Sequence, residues 1–124
     1  MIARLWCGRA GAQAAPDYVK HIAETVFPSL QGMRGHRGAE LLRRTVDNKV
    51  EFLAVTYWDS LDDIRQFAGS NIELAKIEPR AEELLSDYDS FARHYELVHR
   101  ASDPRDGRMI LPGKAGAGGV KGAS

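Results

Sequence analysis

The sequence predicts an α+β domain in the order strand, helix, strand, strand, helix, strand, folded as a four-stranded antiparallel sheet with both helices on one face. Three observations carry this. Val50 to Trp58 is β-branched, aromatic or aliphatic apart from Glu51, and it runs straight into a helical pattern that stops at Gly69. Asp47-Asn48 separates this strand from another, Glu40 to Val46, and that dipeptide tolerates the positive φ of a tight hairpin. Helical periodicity occurs once before the hairpin and again after it.

Taken in order, Ile2 to Ala10 alternates as a strand. Ala3, Leu5 and Cys7 share one face; Ile2, Arg4 and Trp6 share the other. Gly11-Ala12-Gln13 breaks it. Pro16 suits a first helical turn, where its missing N–H would be unpaired anyway, and Asp17 places favourable charge there. Val19, Ile22, Ala23, Val26, Phe27 and Leu30 form one apolar helix face, which Pro28 is expected to bend or end near Phe27. Gln31 to Gly38, with three glycines, reads as a loop. Leu41, Leu42, Thr45 and Val46 give the second strand its apolar and β-branched content. In the central strand Phe52, Ala54, Thr56 and Trp58 face one way, and Leu53, Val55 and Tyr57 the other. Ser60 is an N-cap, with Asp63 placed to reach back in a capping box. Leu61, Ile64, Phe67 and Ala68 are the buried face of that helix. A second helical piece starts near Pro79, with Ala81, Leu84 and Leu85 inward. Asp87 to Asp89 reads as a turn and Phe91 to Val98 as the last strand.

This assigns residues 1–98 to the domain. Residues 99–124, rich in Gly and Ala, read as a flexible tail because they cannot bury enough apolar area to offset the entropy of ordering. Its one apolar trio, Met109-Ile110-Leu111, is either incidental or a docking motif.

The 124 residues are formally neutral, and no basic stripe carries interleaved aromatics, so no nucleic-acid partner is expected. No apolar run approaches the roughly 20 residues of a membrane helix. The opening MIARLW has no secretory pattern and Cys7 is alone, which together predict a cytoplasmic, reduced protein. The four histidines lie at no ligand spacing, and Gly32, Gly35 and Gly38 precede a strand rather than a helix. Neither a metal nor any other cofactor is therefore expected. The central strand is apolar on both faces while the helices cover one. A second copy laid on the open face is the simplest cover, closing two sheets into a dimeric α+β barrel. A homodimer with an interface above roughly 1,200 Å² is expected.

The candidate site follows from strand order. In a 4-1-3-2 sheet the last strand borders the first, so Arg4, Trp6, His94 and Glu96 gather on one face. His94 is the natural general base near neutral pH, and Arg4 can hold a developing phenolate or carboxylate. Trp6 can stack on a ring, and Tyr57 can donate to a bound oxygen. The alternative is a structural cluster, with Glu96 paired to Arg4 and His94 bonded to backbone. Trp58 reads as core, packed on Leu61 and Phe67. Of Arg43 and Arg44, one is expected in solvent and one in an ion pair. His21 is expected to face solvent, His36 to lie in a surface loop or rim a pocket mouth, and Cys7 to be a small buried residue.

The order of elements, the segment YWDSLDDIRQFAG and the closing HYELV resemble the antibiotic biosynthesis monooxygenase-like group of ferredoxin-like, dimeric α+β barrel proteins. The resemblance covers about residues 1 to 98. It implies a dimer with a pocket between sheet and helices in each subunit, and a small hydrophobic or aromatic ligand. It also implies cofactor-independent oxidation of an aromatic, polyketide-like substrate by O₂, or else a non-catalytic binding or structural module of the same fold. Members that cleave haem carry a tryptophan and, about ten residues later, a haem-ligating histidine. Counted from the shared W-x-S, those places hold Phe67 and Ile77, which argues against haem cleavage.

Overall fold

The computed structural model describes residues 1–101; the Met109–Leu111 trio and most of the expected tail lie outside them. Strand β1 is Ile2–Gly11, β2 is His36–Val46 and β3 is Lys49–Trp58. Asp47 (φ 52°) and Asn48 (φ 67°) turn the β2–β3 hairpin, as their residue types foretell. Two short strands, β4 (Asp87–Tyr88) and β5 (Arg93–Glu96), both pair antiparallel with β1, so the sheet runs β2-β3-β1 and then β4 with β5. The fold is the expected α+β, ferredoxin-like one.

The expected fourth strand is thus split and starts earlier. Asp87-Tyr88 is strand rather than turn, pairing with Arg9 and Gly8. Arg9 fixes it there through ion pairs with Asp87 and Asp89. Phe91 leaves the ladder and bridges Leu74. β2 starts at His36 instead of Glu40, because Gly38 (φ 147°) absorbs a register irregularity that would otherwise end the strand.

On one face lie α1 (Ala15–His21), a π-helical turn (Ile22–Val26) and α2 (Phe27–Leu30), which form one continuous helical run. Pro28 does not end it. Its ring would strike the carbonyl four residues back, and the helix instead widens just before it, with the Phe27 N–H donating five residues back to the Ile22 oxygen. α3 (Leu61–Ala68) begins at Ser60, whose Oγ accepts from the Asp63 N–H at 3.2 Å, a cap worth about 1 kcal/mol. The Asp63 carboxylate makes no return bond to the Ser60 N–H. It accepts from Ser60 Oγ (3.0 Å) and Arg34 Nε (2.8 Å), tying the glycine loop to the helix. Leu61 is exposed, not buried. Helix α4 (Pro79–Leu84) buries Ala81 and, just after it, Leu85.

Opposite residues in an antiparallel ladder share a face. Arg4, Trp6, Gly8 and Ala10 of β1, with Phe52, Ala54, Thr56 and Trp58 of β3, therefore lie under the helices. The core there has two clusters, one around Tyr18, Ile22 and Phe52, the other around Leu30, Trp58 and Ile64. Leu5, Leu42, Leu53, Val55, Tyr57 and Tyr95 lie on the outer face, with Leu42 50% and Tyr95 52% exposed. No helix among the described residues is long and apolar enough to cross a membrane.

Candidate functional site

Between sheet and helices lies a cavity of about 70 Å³. One water needs some 10–15 Å³ on this measure, so it holds roughly five waters or one small ring. Its walls are apolar, from Trp6, Ile22, Val26, Phe27, Phe67 and Ile77, and its polar groups are Arg4, Tyr18, Thr56, Lys76 and Glu78.

Arg4 enters from the middle of β1 and is 4% exposed. Its Nη1 donates to the Ile72 carbonyl and contacts His94 Nε2 at 2.9 Å, and Nη2 donates to the Leu74 carbonyl at 3.1 Å. A guanidinium has five N–H bonds, and those remaining on Nε and Nη2 have no partner among the described residues. No carboxylate lies within ion-pair distance of Arg4 among those residues, so the buried charge rests on carbonyl and imidazole dipoles and an aromatic face. Burial draws its pKa down to about 10. The Phe67 ring sits 5.7 Å from Arg4 and 5.7 Å from the ammonium of Lys76, both within cation–π range. The inner end of the cavity is therefore electropositive.

His94 is opposite Arg4 in the β1–β5 register, on the neighbouring strand that the strand order predicts. A guanidinium can only donate, so Nε2 accepts and the ring is neutral, with its proton on Nδ1. Burial first, and the Arg4 charge second, hold the His94 pKa below its ordinary value. His94 does not itself line the cavity; it braces Arg4 from behind. Trp6 is in the wall because residue 8 is glycine: a Cβ there would lie 2.9 Å from the indole Cη2. Its Nε1 donates to the Asp89 carbonyl at 2.7 Å, which fixes the ring plane.

Two expected members lie elsewhere. Tyr57 is on the outer face, where its hydroxyl donates to Glu40 at 3.2 Å. Glu96 shares the His94 face but sits exposed at the sheet end opposite Ile2, and it makes no bond to Arg4.

Other expectations are corrected too. His21 does not face solvent: its side chain is 11% exposed, and Nε2 lies 2.7 Å from Glu78 Oε1. His36 is packed edge-on against Trp58 (5.1 Å), and its buried Nε2 has no partner among the described residues. Cys7 is half-buried on the outer face, its thiol pKa raised first by burial and then by Asp89 and Glu51. Arg44 does pair with Glu51 at 2.5 Å, while Arg43 lines an apolar groove of about 250 Å³ between the first helix and β2. No three His, Cys, Asp or Glu side chains among the described residues gather as metal ligands.

Tyr18, Lys76 and Glu78 were not legible as site residues. Tyr18 stands four residues before Ile22 and eight before Val26, an i, i+4 signal that places it on the inner helix face. Lys76 and Glu78 come from a connection between α3 and α4 with no periodicity to read.

The family model for antibiotic biosynthesis monooxygenase matches residues 3–76. No curated protein matches at a significant level. Among solved structures, the chain is similar to the heme-degrader MhuD from Mycobacterium tuberculosis, with two hemes bound in its active site. Identity is 18% and the TM-score 0.59, over 82% of this chain and 100% of that one. A candidate antibiotic biosynthesis monooxygenase from Deinococcus radiodurans aligns at 14% identity and TM-score 0.57, over 82% and 97%. Another from Bacillus cereus aligns at 13% and 0.56, over 82% and 95%. At these identities the structures speak for the fold alone. The family match spans more than half of the sequence, and the chain belongs to the antibiotic biosynthesis monooxygenase family.

Proposed function

We propose that this protein is a cofactor-independent monooxygenase for a small aromatic substrate bound as an anion. The observation that carries the reading is Arg4: a buried guanidinium with spare N–H bonds and no carboxylate partner among the described residues, at the wall of an apolar cavity. The cavity strips water from the ring, and Arg4 with Lys76 holds the anionic group of the substrate. In that setting a phenolate is electron-rich enough to pass one electron to O₂, and the resulting phenoxyl radical and superoxide then combine at a ring carbon. Loss of water leaves a quinone: the phenolic O–H and a ring C–H each become C=O, one oxygen atom enters the product and the other leaves as water. The substrate is the electron donor throughout. His94 acts here by positioning Arg4, since its Nε2 lone pair is already taken.

Haem is a poor fit. Phe67 and Ile77 both line the cavity, neither can ligate iron, and about 70 Å³ is far below a tetrapyrrole. The test is mass spectrometry of products from electron-rich hydroxyarenes under isotopically heavy O₂. One heavy oxygen per product molecule is expected. Tight binding with no oxygen uptake would overturn the monooxygenase reading and leave a non-catalytic binding module.

The working form in this reading is a homodimer joined through the outer sheet face. Leu5, Leu53, Val55 and Tyr95 form an apolar centre, and Arg9, Arg44 and Glu51 form a charged border, the usual anatomy of an interface. Leu53→Glu should then sediment as a monomer while the parent sediments as a dimer. A monomeric parent at micromolar concentration would rule the dimer out.

A further inference from the structure

The end of the cavity away from the Arg4 carbonyl contacts carries polar groups that the reading above leaves unused. Tyr18 is 1% exposed, its ring packed on Phe52 at 4.8 Å, yet its hydroxyl has no hydrogen-bond partner among the described residues. Burial first, and the negative charge of Glu78 second, raise its pKa, so it remains a phenol and a donor. Glu78 also lines the cavity and is held by His21 at 2.7 Å, which leaves its other oxygen free to accept. The hydroxyl opens on the cavity, where a ligand group can take its hydrogen bond in place of water. A hydroxyl is the smallest substituent of a ring that both accepts from a phenol and donates to a carboxylate.

The Arg4 end has a different chemistry. The spare N–H bonds are on Nε and Nη2, the two nitrogens that form one edge of the guanidinium fork and that bind a carboxylate with two parallel bonds. Trp6, Phe27 and Phe67 complete the lining, with room for one ring.

We infer that the cavity takes a single-ring hydroxyaryl carboxylate, its carboxylate on Arg4 with Lys76 nearby and its hydroxyl between Tyr18 and Glu78. This rests on the small-aromatic reading above and narrows it to a substrate class. Tyr18 is a specificity-determining residue in it, and Glu78 is the group placed to take the hydroxyl proton.

The test is binding to the full chain, read by calorimetry and by Trp fluorescence, with four probes: 4-hydroxybenzoate, benzoate, 4-hydroxybenzamide and 6-hydroxy-2-naphthoate. The parent protein should bind 4-hydroxybenzoate at least about tenfold more tightly than benzoate, which lacks the hydroxyl, and more tightly than the neutral amide. Tyr18→Phe should cut the preference over benzoate severalfold, leaving the share that Glu78 supplies, while benzoate affinity stays unchanged. A packing defect would instead weaken both acids alike. The two-ring acid should bind worst. The inference is overturned by equal affinity for acid and amide, by a Tyr18→Phe loss that is the same for both acids, or by tighter binding of the naphthoate. Binding without oxygen uptake would sink the oxygenase reading and leave this one standing. Oxygen uptake on larger aromatics with no binding of the single-ring acids would do the reverse.

Discussion

Arg4→Met should weaken an anionic aromatic ligand by at least about 10²-fold and leave the fold intact. Each hydrogen bond to a charged group contributes about 1.5–3 kcal/mol, and about 1.4 kcal/mol is tenfold, so losing a two-pronged contact costs that much or more. Stability responds differently. The substitution removes a buried charge that has only dipoles and an aromatic face for partners, which favours the folded state. It also strands the Ile72 and Leu74 carbonyls, at about 1–3 kcal/mol each if they stay dry. That loop is still held by Ala75 N–H on the Ser90 carbonyl (2.9 Å) and Ala92 N–H on the Glu73 carbonyl (2.8 Å), so it should stay in place. Arg4→Lys should not restore affinity, because an ammonium cannot present the fork. A second readout separates this from general damage. The Arg4 charge helps hold the His94 pKa down, so in Arg4→Met the His94 ring should titrate at higher pH, visible by NMR. Retained affinity in a folded Arg4→Met would remove the anion site, and with it the basis for the oxygenase reading.

How far the sequence could be read depends on how local each signal is. The hairpin, the Ser60 cap and the Gly69 stop (φ 90°) are set by residue types that make the same choice in any fold, and all three stand where the pattern puts them. That Arg4 and His94 share a face of neighbouring strands follows from strand order plus alternation, both legible; that they stand opposite one another is set by a register the sequence does not specify. Alternation already puts Tyr57 on the strand face away from Thr56 and Trp58, and only its hydroxyl chemistry suggests the site. Pro28 shows a local rule losing to tertiary packing. Leu30 is fully buried against Trp58, and keeping it there favours a widened turn over a broken helix. Tyr18, Lys76 and Glu78 come together only because α1 and the connection before α4 meet over the sheet, which no sequence window contains.

Trp58→Ala should be the most destabilising single change in the domain. The side chain is fully buried, and its Nε1 donates to Thr56 Oγ1 at 2.9 Å. Its rings stack towards Phe67 (6.3 Å) and take the edge of His36 (5.1 Å). Emptying such a site costs about 3–5 kcal/mol, against a total near 5–15 kcal/mol, so much of the population should unfold well below the parent midpoint. Trp58→Phe keeps most of the volume and should lose less. The pH dependence should change as well. His36 is buried with Nε2 unpartnered, and burial holds its pKa below the ordinary 6.5. The unfolded chain therefore takes up that proton first. Stability is fully present above about pH 6.5 and declines as pH falls towards the folded pKa; His94, shifted the same way, adds to the slope. With Trp58 gone, water can reach His36, its pKa rises towards 6.5 and its share of the slope goes. Urea titrations at about pH 7.5 and about pH 5 should then differ less for Trp58→Ala than for the parent. An unchanged difference would mean that His36 is not held neutral by this packing.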